Sequence, residues 1–176
     1  FKSLPWCPRC ETGLSSHELA LGYKNITEDS VYVKFRLKQA KEKKAAASFL
    51  VWTTTPWTLP ANTALAVHPQ LEYVTVEREN NPDEWLILAE SRLGVLSEKY
   101  KVINRQKGAV LVGMKYEPLY ANEDTKSARL DSPSEAEARQ ANAYRVVAAE
   151  FVSAEDGSGI VHIAPAFGAD DLEVSK

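Results

Sequence analysis

Four threonines, two tryptophans and two prolines fall within nine residues at Trp52-Thr53-Thr54-Thr55-Pro56-Trp57-Thr58-Leu59-Pro60. Threonines bring hydroxyls and, around a turn, backbone N–H groups. Prolines fix the backbone, and indoles offer flat apolar walls. Such a set suits the edge of a rigid polar pocket for a small polar ligand with a flat part. It also suits a β-bulge with hydroxyl-bonded turns.

Other chemistry narrows by elimination. Cys7-Pro8-Arg9-Cys10 has the knuckle spacing of half a tetrahedral zinc site, but no second CxxC follows and His17 is the only nearby further ligand. The two cysteines are half of a structural zinc site or two reduced surface thiols. A thioredoxin-like role is disfavoured, because the motif does not follow a strand and open a helix. There is no GxSxG for a serine nucleophile. His68 precedes Pro69 and reads as structural. His162 alternates with apolar neighbours in Gly159-Ile160-Val161-His162-Ile163-Ala164-Pro165, which on pattern alone is a core histidine. Asp171 sits near the start of a terminal helix, where an acid favours the macrodipole. Gly157-Ser158-Gly159 is too short for a phosphate loop and reads as a turn entering a strand.

The elements that must position these residues are mostly strands. In Ser30 to Lys38, Val31, Val33, Phe35 and Leu37 alternate with Tyr32, Lys34, Arg36 and Lys38, a half-buried strand. Ser48–Thr53 reads as a buried strand. Glu72–Glu77, Trp85–Ala89, Ala109–Val112, Tyr144–Val152 and Gly159–Ile163 are further strand candidates. Ser91–Tyr100 reads as a short helix and Asp170 onward as another. The predicted class is mostly β (α+β): a small closed β-barrel core with short peripheral helices. Residues 121–143 are polar, with Leu130 the one large aliphatic residue, and read as an exposed insertion with a helical turn in Ser134–Gln140. Ala40–Ala47 is a second polar excursion, and no internal repeat is present.

Composition limits the partners. The 176 residues carry 21 basic and 24 acidic side chains, a net charge of −3, which argues against a general polycationic nucleic-acid binder. The charge is uneven: residues 1–50 have a balance of +4 and residues 121–176 one of −6. The excess concentrates in Lys34, Arg36, Lys38, Lys41, Lys43 and Lys44. That is a solvated strand edge or a contact with an anionic partner such as RNA backbone. One CxxC makes no disulfide framework and suggests an intracellular chain. No apolar run approaches a membrane span, and the N-terminus lacks the apolar region of a signal peptide. The first residue is not Met and the last seven read as the opening of a helix, which suggests a domain of a larger protein.

Three segments carry a family resemblance. WTTTPWTLPANTALAVHP, Trp52 to Pro69, resembles the threonine-rich segment of the editing domain of isoleucyl-tRNA synthetase, a class I aminoacyl-tRNA synthetase. GSGIVHIAPAFGADD, Gly157 to Asp171, resembles that domain's second signature. WCPRCETGLSSHE, Trp6 to Glu18, resembles the zinc knuckle through which this insertion, the first connective polypeptide, leaves the catalytic core. Valyl and leucyl relatives typically have Arg-Pro-Glu or Arg-Pro-Asp in place of Thr55-Pro56-Trp57 and no histidine at the place of His162. The combination here therefore resembles the isoleucyl branch. Residues 121–143 are the main departure, being longer than in those relatives.

The resemblance implies an editing domain over residues 1–176, with 1–20 as the knuckle and linker to a catalytic core. It implies post-transfer, and pre-transfer, editing: hydrolysis of valyl-tRNA(Ile) by water, and of valyl-adenylate. A second site is needed because one methylene separates competing substrates by only about 1–3 kcal/mol. By motif, Asp171 pairs with the substrate α-ammonium, and His162 lines the side-chain pocket and sets its size limit. Thr54, Thr55 and Asn62 hold the terminal adenosine and the ester, while Thr53 and Trp57 shape the wall. Thr58, Ala164, Pro165, Phe167 and Gly168 complete the implied substrate site, with Thr54, Thr55 and Asp171 at the chemistry. The implied partners are the 3′ terminal adenosine of tRNA(Ile) and the remaining synthetase domains, in a monomeric cytoplasmic chain with no membrane contact. No cofactor is implied for editing; Cys7 and Cys10 are implied as half of a structural zinc site in the full-length enzyme. A non-catalytic acceptor-end docking module, a vestigial zinc-bearing insert and a valyl or leucyl editing domain are the alternatives.

Overall fold

The structure is a computed structural model that describes residues 4–25, 27–38, 45–120 and 143–175. A short hairpin, β1 (Trp6–Cys7) and β2 (Thr12–Gly13), opens the chain. It leads into α1 (Ser16–Ala20), which is closed by a capping box: Glu18 N–H donates to Ser15 Oγ at 3.3 Å and Ser15 N–H donates to Glu18 Oε2 at 2.8 Å.

The main body pairs β3 (Val31–Arg36), β4 (Ala46–Thr53), β6 (Glu72–Arg78), β7 (Asn81–Ala89) and β8 (Tyr100–Lys107) in the order β3-β4-β7-β6-β8. β4 runs parallel to β7, and the other pairs are antiparallel. β4 reads as a continuous apolar run because both its faces are covered. Phe49 and Val51 face the main core, and Leu50 packs with Val74, Val76, Leu86 and Leu88 on the other side. A 3₁₀ helix, Glu90–Val95, lays Leu93 and Val95 over that second cluster. It occupies the first part of the predicted Ser91–Tyr100 helix, and β8 takes over at Tyr100. β8 is an edge strand with only Val102 and Gln106 half-buried, so its apolar period is faint.

A second sheet orders β10 (Ile160–Ile163), β5 (Ala64–Val67) and β9 (Arg145–Ala148). The strand predicted at Ala109–Val112 is instead a helical turn, α2 (Gly108–Leu111). Gly108 N–H donates to Leu71 O and Ala109 N–H to Pro69 O, which bends the chain out of β8. A Cβ on Gly108 would strike the His68 carbonyl, so the close approach needs glycine. The strand predicted over Tyr144–Val152 ends at Ala148, leaving Phe151 in a loop. The last element is α3 (Ala169–Val174).

Phe35, Phe49, Leu65, Tyr73, Tyr116 and Ile160 are fully buried between the two sheets, at 0–1 % exposure. Truncating any of the large ones to alanine costs about 3–5 kcal/mol. Tyr116 meets Phe35 and Tyr144 edge-on, with centroids 5.3 and 6.0 Å apart. The predicted closed barrel is not found among the described residues. Isolated bridges, Leu37 with Tyr116 and Lys115 with Arg145, link the β3 and β9 edges. The far edges, β8 and β10, do not pair, so the strands form two open sheets. No helix among the described residues is long and apolar enough to cross a membrane. The insertion at 121–143, apart from Ala143, and Lys41, Lys43 and Lys44 lie outside the described residues.

Candidate functional site

The threonine segment lies where β4 ends. After Thr53 the chain turns into a 3₁₀ helix, Pro56–Ala61, with Pro56 at its start, where the missing N–H is harmless. The turn is held by its own hydroxyls: Thr55 N–H donates to Thr53 Oγ1 at 3.1 Å, and Thr58 Oγ1 donates to Thr55 O at 2.8 Å. Of the alternative read from the sequence, the hydroxyl-bonded turn is present, but the β-bulge is not: β4 keeps an unbroken register to Thr53 and the chain passes into the 3₁₀ helix. The turn forms one wall of a cleft.

The opposite wall comes from β10 and the turn into α3. The cleft has a volume of about 420 Å³. It gathers Thr53, Thr54, Thr55, Trp57 and Thr58 with His162, Ala164, Phe167 and Asp171. Segments more than a hundred residues apart meet in the buried contact of Thr58 Oγ1 with His162 Nε2 at 3.0 Å. His162 is 7 % exposed, and burial holds its imidazole below the ordinary value, so it is neutral at pH 7. The Thr54 hydroxyl has no hydrogen-bond partner among the described residues.

Asp171 is half-buried in the first turn of α3. Burial pushes its carboxyl up; the Ala164 N–H bond opposes this and the neighbouring Asp170 adds to it, with a net rise. An ionised Asp171 is thus under-solvated, and a cation beside it would relieve that cost. Gly168 lies against the carboxylate, where a Cβ would collide with it.

Three of the residues predicted for the site do not line the cleft. Asn62 is buried at the end of the 3₁₀ helix, its Nδ2 donating to Ala64 O at 2.8 Å and its Oδ1 accepting from Tyr116 Oη at 2.6 Å. Pro165 is half-buried in the turn after β10, and Gly168 sits beneath Asp171. Trp52, Phe151, Val161 and Asp170 line the cleft without having been predicted for it. Trp52 and Val161 stand inside the two motifs. Nothing in the local pattern marks Phe151, which reads as part of a strand. Trp57, Phe167 and Phe151 leave an aromatic rim 71, 62 and 44 % exposed.

Cys7 is half-buried and Cys10 exposed, and both are free. The Cys10 backbone N–H, then its thiol, then the Arg9 N–H hold the Cys7 thiol below its ordinary value, while Cys7 pushes that of Cys10 up. The pair offers two soft ligands on one turn, which fits half of a tetrahedral set. No group of three or more metal-ligating side chains occurs among the described residues. On the basic stripe, Lys34 pairs with Glu84 at 2.7 Å and Arg36 with Glu117 at 4.0 Å. β3 is the sheet's edge, so these cations cover an exposed strand.

No protein-family model matches the chain. It is 47 % identical to the isoleucine–tRNA ligase of Picrophilus torridus, over 176 residues that are 100 % of this chain and 15 % of that protein. It is 48 % identical over 178 residues to that of Thermus thermophilus, covering 99 % of this chain and again 15 % of the relative. The chain therefore spans about 15 % of the length of the curated relatives it matches. Among solved structures, GlLeuRS-CP1 aligns with a TM-score of 0.63 at 18 % identity, over 82 % of this chain and 58 % of that one. The P. knowlesi cytosolic leucyl-tRNA synthetase editing domain aligns with 0.61 at 11 % identity, over 81 and 60 %. Along its whole length the chain is thus homologous to one segment of isoleucine–tRNA ligases, folded as the leucyl-tRNA synthetase editing domains are.

Proposed function

We propose that the chain hydrolyses the ester of misacylated tRNA, removing valine from the tRNA for isoleucine, and valyl-adenylate by the same cleft. The observation that carries this is the facing of an under-solvated carboxylate, Asp171, and a wall of threonine hydroxyls across one 420 Å³ cleft. Asp171 pairs with the substrate α-ammonium, which needs an anion and relieves the buried charge. Thr54 and Thr55 hold the ester and the terminal adenosine, and Thr53 and Trp57 shape their wall. His162 closes the side-chain pocket and sets its size limit. Ala164 and Phe167 line its rim, and Pro165 and Gly168 fix the turn that carries them. Asn62 acts from behind, holding the 3₁₀ helix to Tyr116 and to the Ala64 carbonyl.

Among the described residues no activated side-chain nucleophile lines the cleft, so water attacks. Its oxygen bonds to the ester carbonyl carbon, and the carbonyl electrons move onto oxygen. Collapse breaks the bond to the ribose oxygen, which takes a proton, releasing valine and free tRNA. Threonine hydroxyls, backbone N–H groups and the neighbouring ribose hydroxyl orient the water and meet the oxyanion. Cys7 and Cys10 supply half of a structural zinc site whose other ligands come from elsewhere in the parent protein, and no step runs through it. The partners are the tRNA acceptor end and the other domains of a synthetase, with the chain monomeric and in the cytoplasm. Pairing of Lys34 and Arg36 with carboxylates leaves the docking-only reading without a specific observation in its favour.

The test is deacylation of valyl-tRNA(Ile) by the wild type beside Asp171→Ala. The variant is expected to lose about a hundredfold, the cost of a misplaced substrate. Equal rates would overturn the role of Asp171, and no hydrolysis by the wild type would overturn the function.

A further inference from the structure

Arg92 directs its donors at backbone. It is half-buried in the 3₁₀ helix that follows β7, and its guanidinium reaches twice into the turn before β10. Nε donates to Gly157 O at 2.9 Å and Nη1 to Glu155 O at 2.6 Å. Its neighbour Ser91 donates through Oγ to Ala154 O at 3.1 Å, and Ala89 N–H donates to Ser158 O at 2.9 Å. Residues 89–92 thus hold four carbonyls of the segment 154–158. The planar fork of a guanidinium can hold two of them at once, which a single ammonium on a flexible stem does poorly.

The strapped turn leans on the cleft from behind. Gly157 is buried at φ 58°, and a Cβ there would stand 2.6 and 2.7 Å from two ring carbons of Trp52. The indole therefore lies directly against the backbone of Gly157. Trp52 in turn lines the cleft, whereas Arg92 itself does not. Two contacts separate the guanidinium from the cleft: Arg92 to the turn, and the turn to the indole. A flat side chain backed by a loose turn makes a poor wall, because its freedom must be frozen each time a ligand binds. We infer that Arg92, by clamping the carbonyls of Glu155 and Gly157, holds the Trp52 indole in place as a preformed wall of the substrate site. This rests on the proposed reading of the cleft as the place where the ester binds. Arg92 is a positioning residue in this scheme, acting through the turn and the indole. The indole carries no reacting group, so its wall holds the ground state and the transition state alike. Its loosening is read in KM and not in kcat.

The experiment is steady-state deacylation of valyl-tRNA(Ile) by the wild-type chain, Arg92→Met, Arg92→Lys, Trp52→Leu and the combination of Arg92→Met with Trp52→Leu, each with its urea midpoint. Arg92→Met keeps the apolar stem and removes every donor. Its KM is expected to rise about three- to tenfold, the cost of ordering one side chain on binding, with kcat within about twofold of the wild type. Arg92→Lys should recover only part of the loss, since its ammonium replaces the fork with a point charge. With Trp52→Leu already in place, Arg92→Met should change KM by less than about twofold, because the effect runs through the indole. An unchanged KM in Arg92→Met, a fall in kcat at constant KM, full rescue by Arg92→Lys, or an undiminished effect beside Trp52→Leu would each overturn the inference. So would failure of both Arg92 variants to fold, which would make the straps a support of the whole molecule and not of one wall. In all of these cases deacylation by the wild type leaves the proposed function standing. No deacylation by the wild type overturns that function and this inference with it.

Discussion

Asp171 depends on two backbone features before it meets any ligand. The Ala164 N–H steadies its carboxylate, and the bare Cα of Gly168 makes room for it. Gly168 has φ −143°, extended backbone that any residue adopts, so its requirement for glycine is one of space alone. Gly168→Ala is therefore expected to fold with a urea midpoint close to the wild type. Its new Cβ would turn the carboxylate aside and lower valyl-tRNA deacylation by about ten- to a hundredfold. A folded variant with full activity would show that Asp171 is not held at the reaction. At this scale the sequence was most readable where residues of unusual type cluster, as in Thr53, Thr54, Thr55, Trp57 and Thr58. It was least readable where a side chain's role is set by a distant partner. Asn62 stands in the right motif, yet Tyr116 takes its carbonyl oxygen. Phe151 reaches the rim only because β9 ends three residues earlier.

The edge strand β3 is tied to β7 indirectly, through a carboxylate with two cationic partners. Glu84 accepts from Lys34 at 2.7 Å and pairs with Arg78, whose other end-nitrogen is 3.5 Å from Glu98. Burial alone would raise the Glu84 carboxyl, but the charges of Lys34 and Arg78 outweigh it and hold the group below its ordinary value. The stability this provides is fully present above the unfolded value of about 4.3 and is lost as pH falls through the lower folded value. Glu84→Gln should cost about 1 kcal/mol at pH 7 in urea unfolding and flatten the decline in stability below about pH 4. An unaltered acid limb would assign that decline to other carboxylates. The elements the sequence foretold, such as β3, β4 and β6, have an apolar period of two or a continuous apolar run. β8 escaped because an edge strand needs few apolar residues, and α2 because four apolar residues fit either a strand or a helical turn. α1 was not foreseen either, although the Ser15-to-Glu18 spacing is that of a capping box.

One hydroxyl stitches the two sheets together. Tyr73 on β6 is fully buried, donates to Gly159 O at 2.7 Å just before β10, and accepts from His68 N–H at 3.0 Å just after β5. Burial pushes its phenol up to about 12, so it stays protonated well into alkaline solution. Tyr73→Phe leaves a carbonyl and an N–H buried without a partner and should cost about 1–3 kcal/mol in urea unfolding. Because Gly159 leads into the strand that bears His162, deacylation should weaken as well. A variant as stable as the wild type would mean that water replaces the phenol. Among the described residues two open sheets, rather than the closed barrel expected, are thus joined at one edge by single bridges and through the middle by a side chain. The aromatic lining of the cleft has an optical consequence. Trp52 and Trp57 are two of the chain's four tryptophans, and both stand where a ligand would displace water. The intrinsic fluorescence of the chain is therefore weighted toward its cleft, which carries its own reporter of occupancy without any added dye.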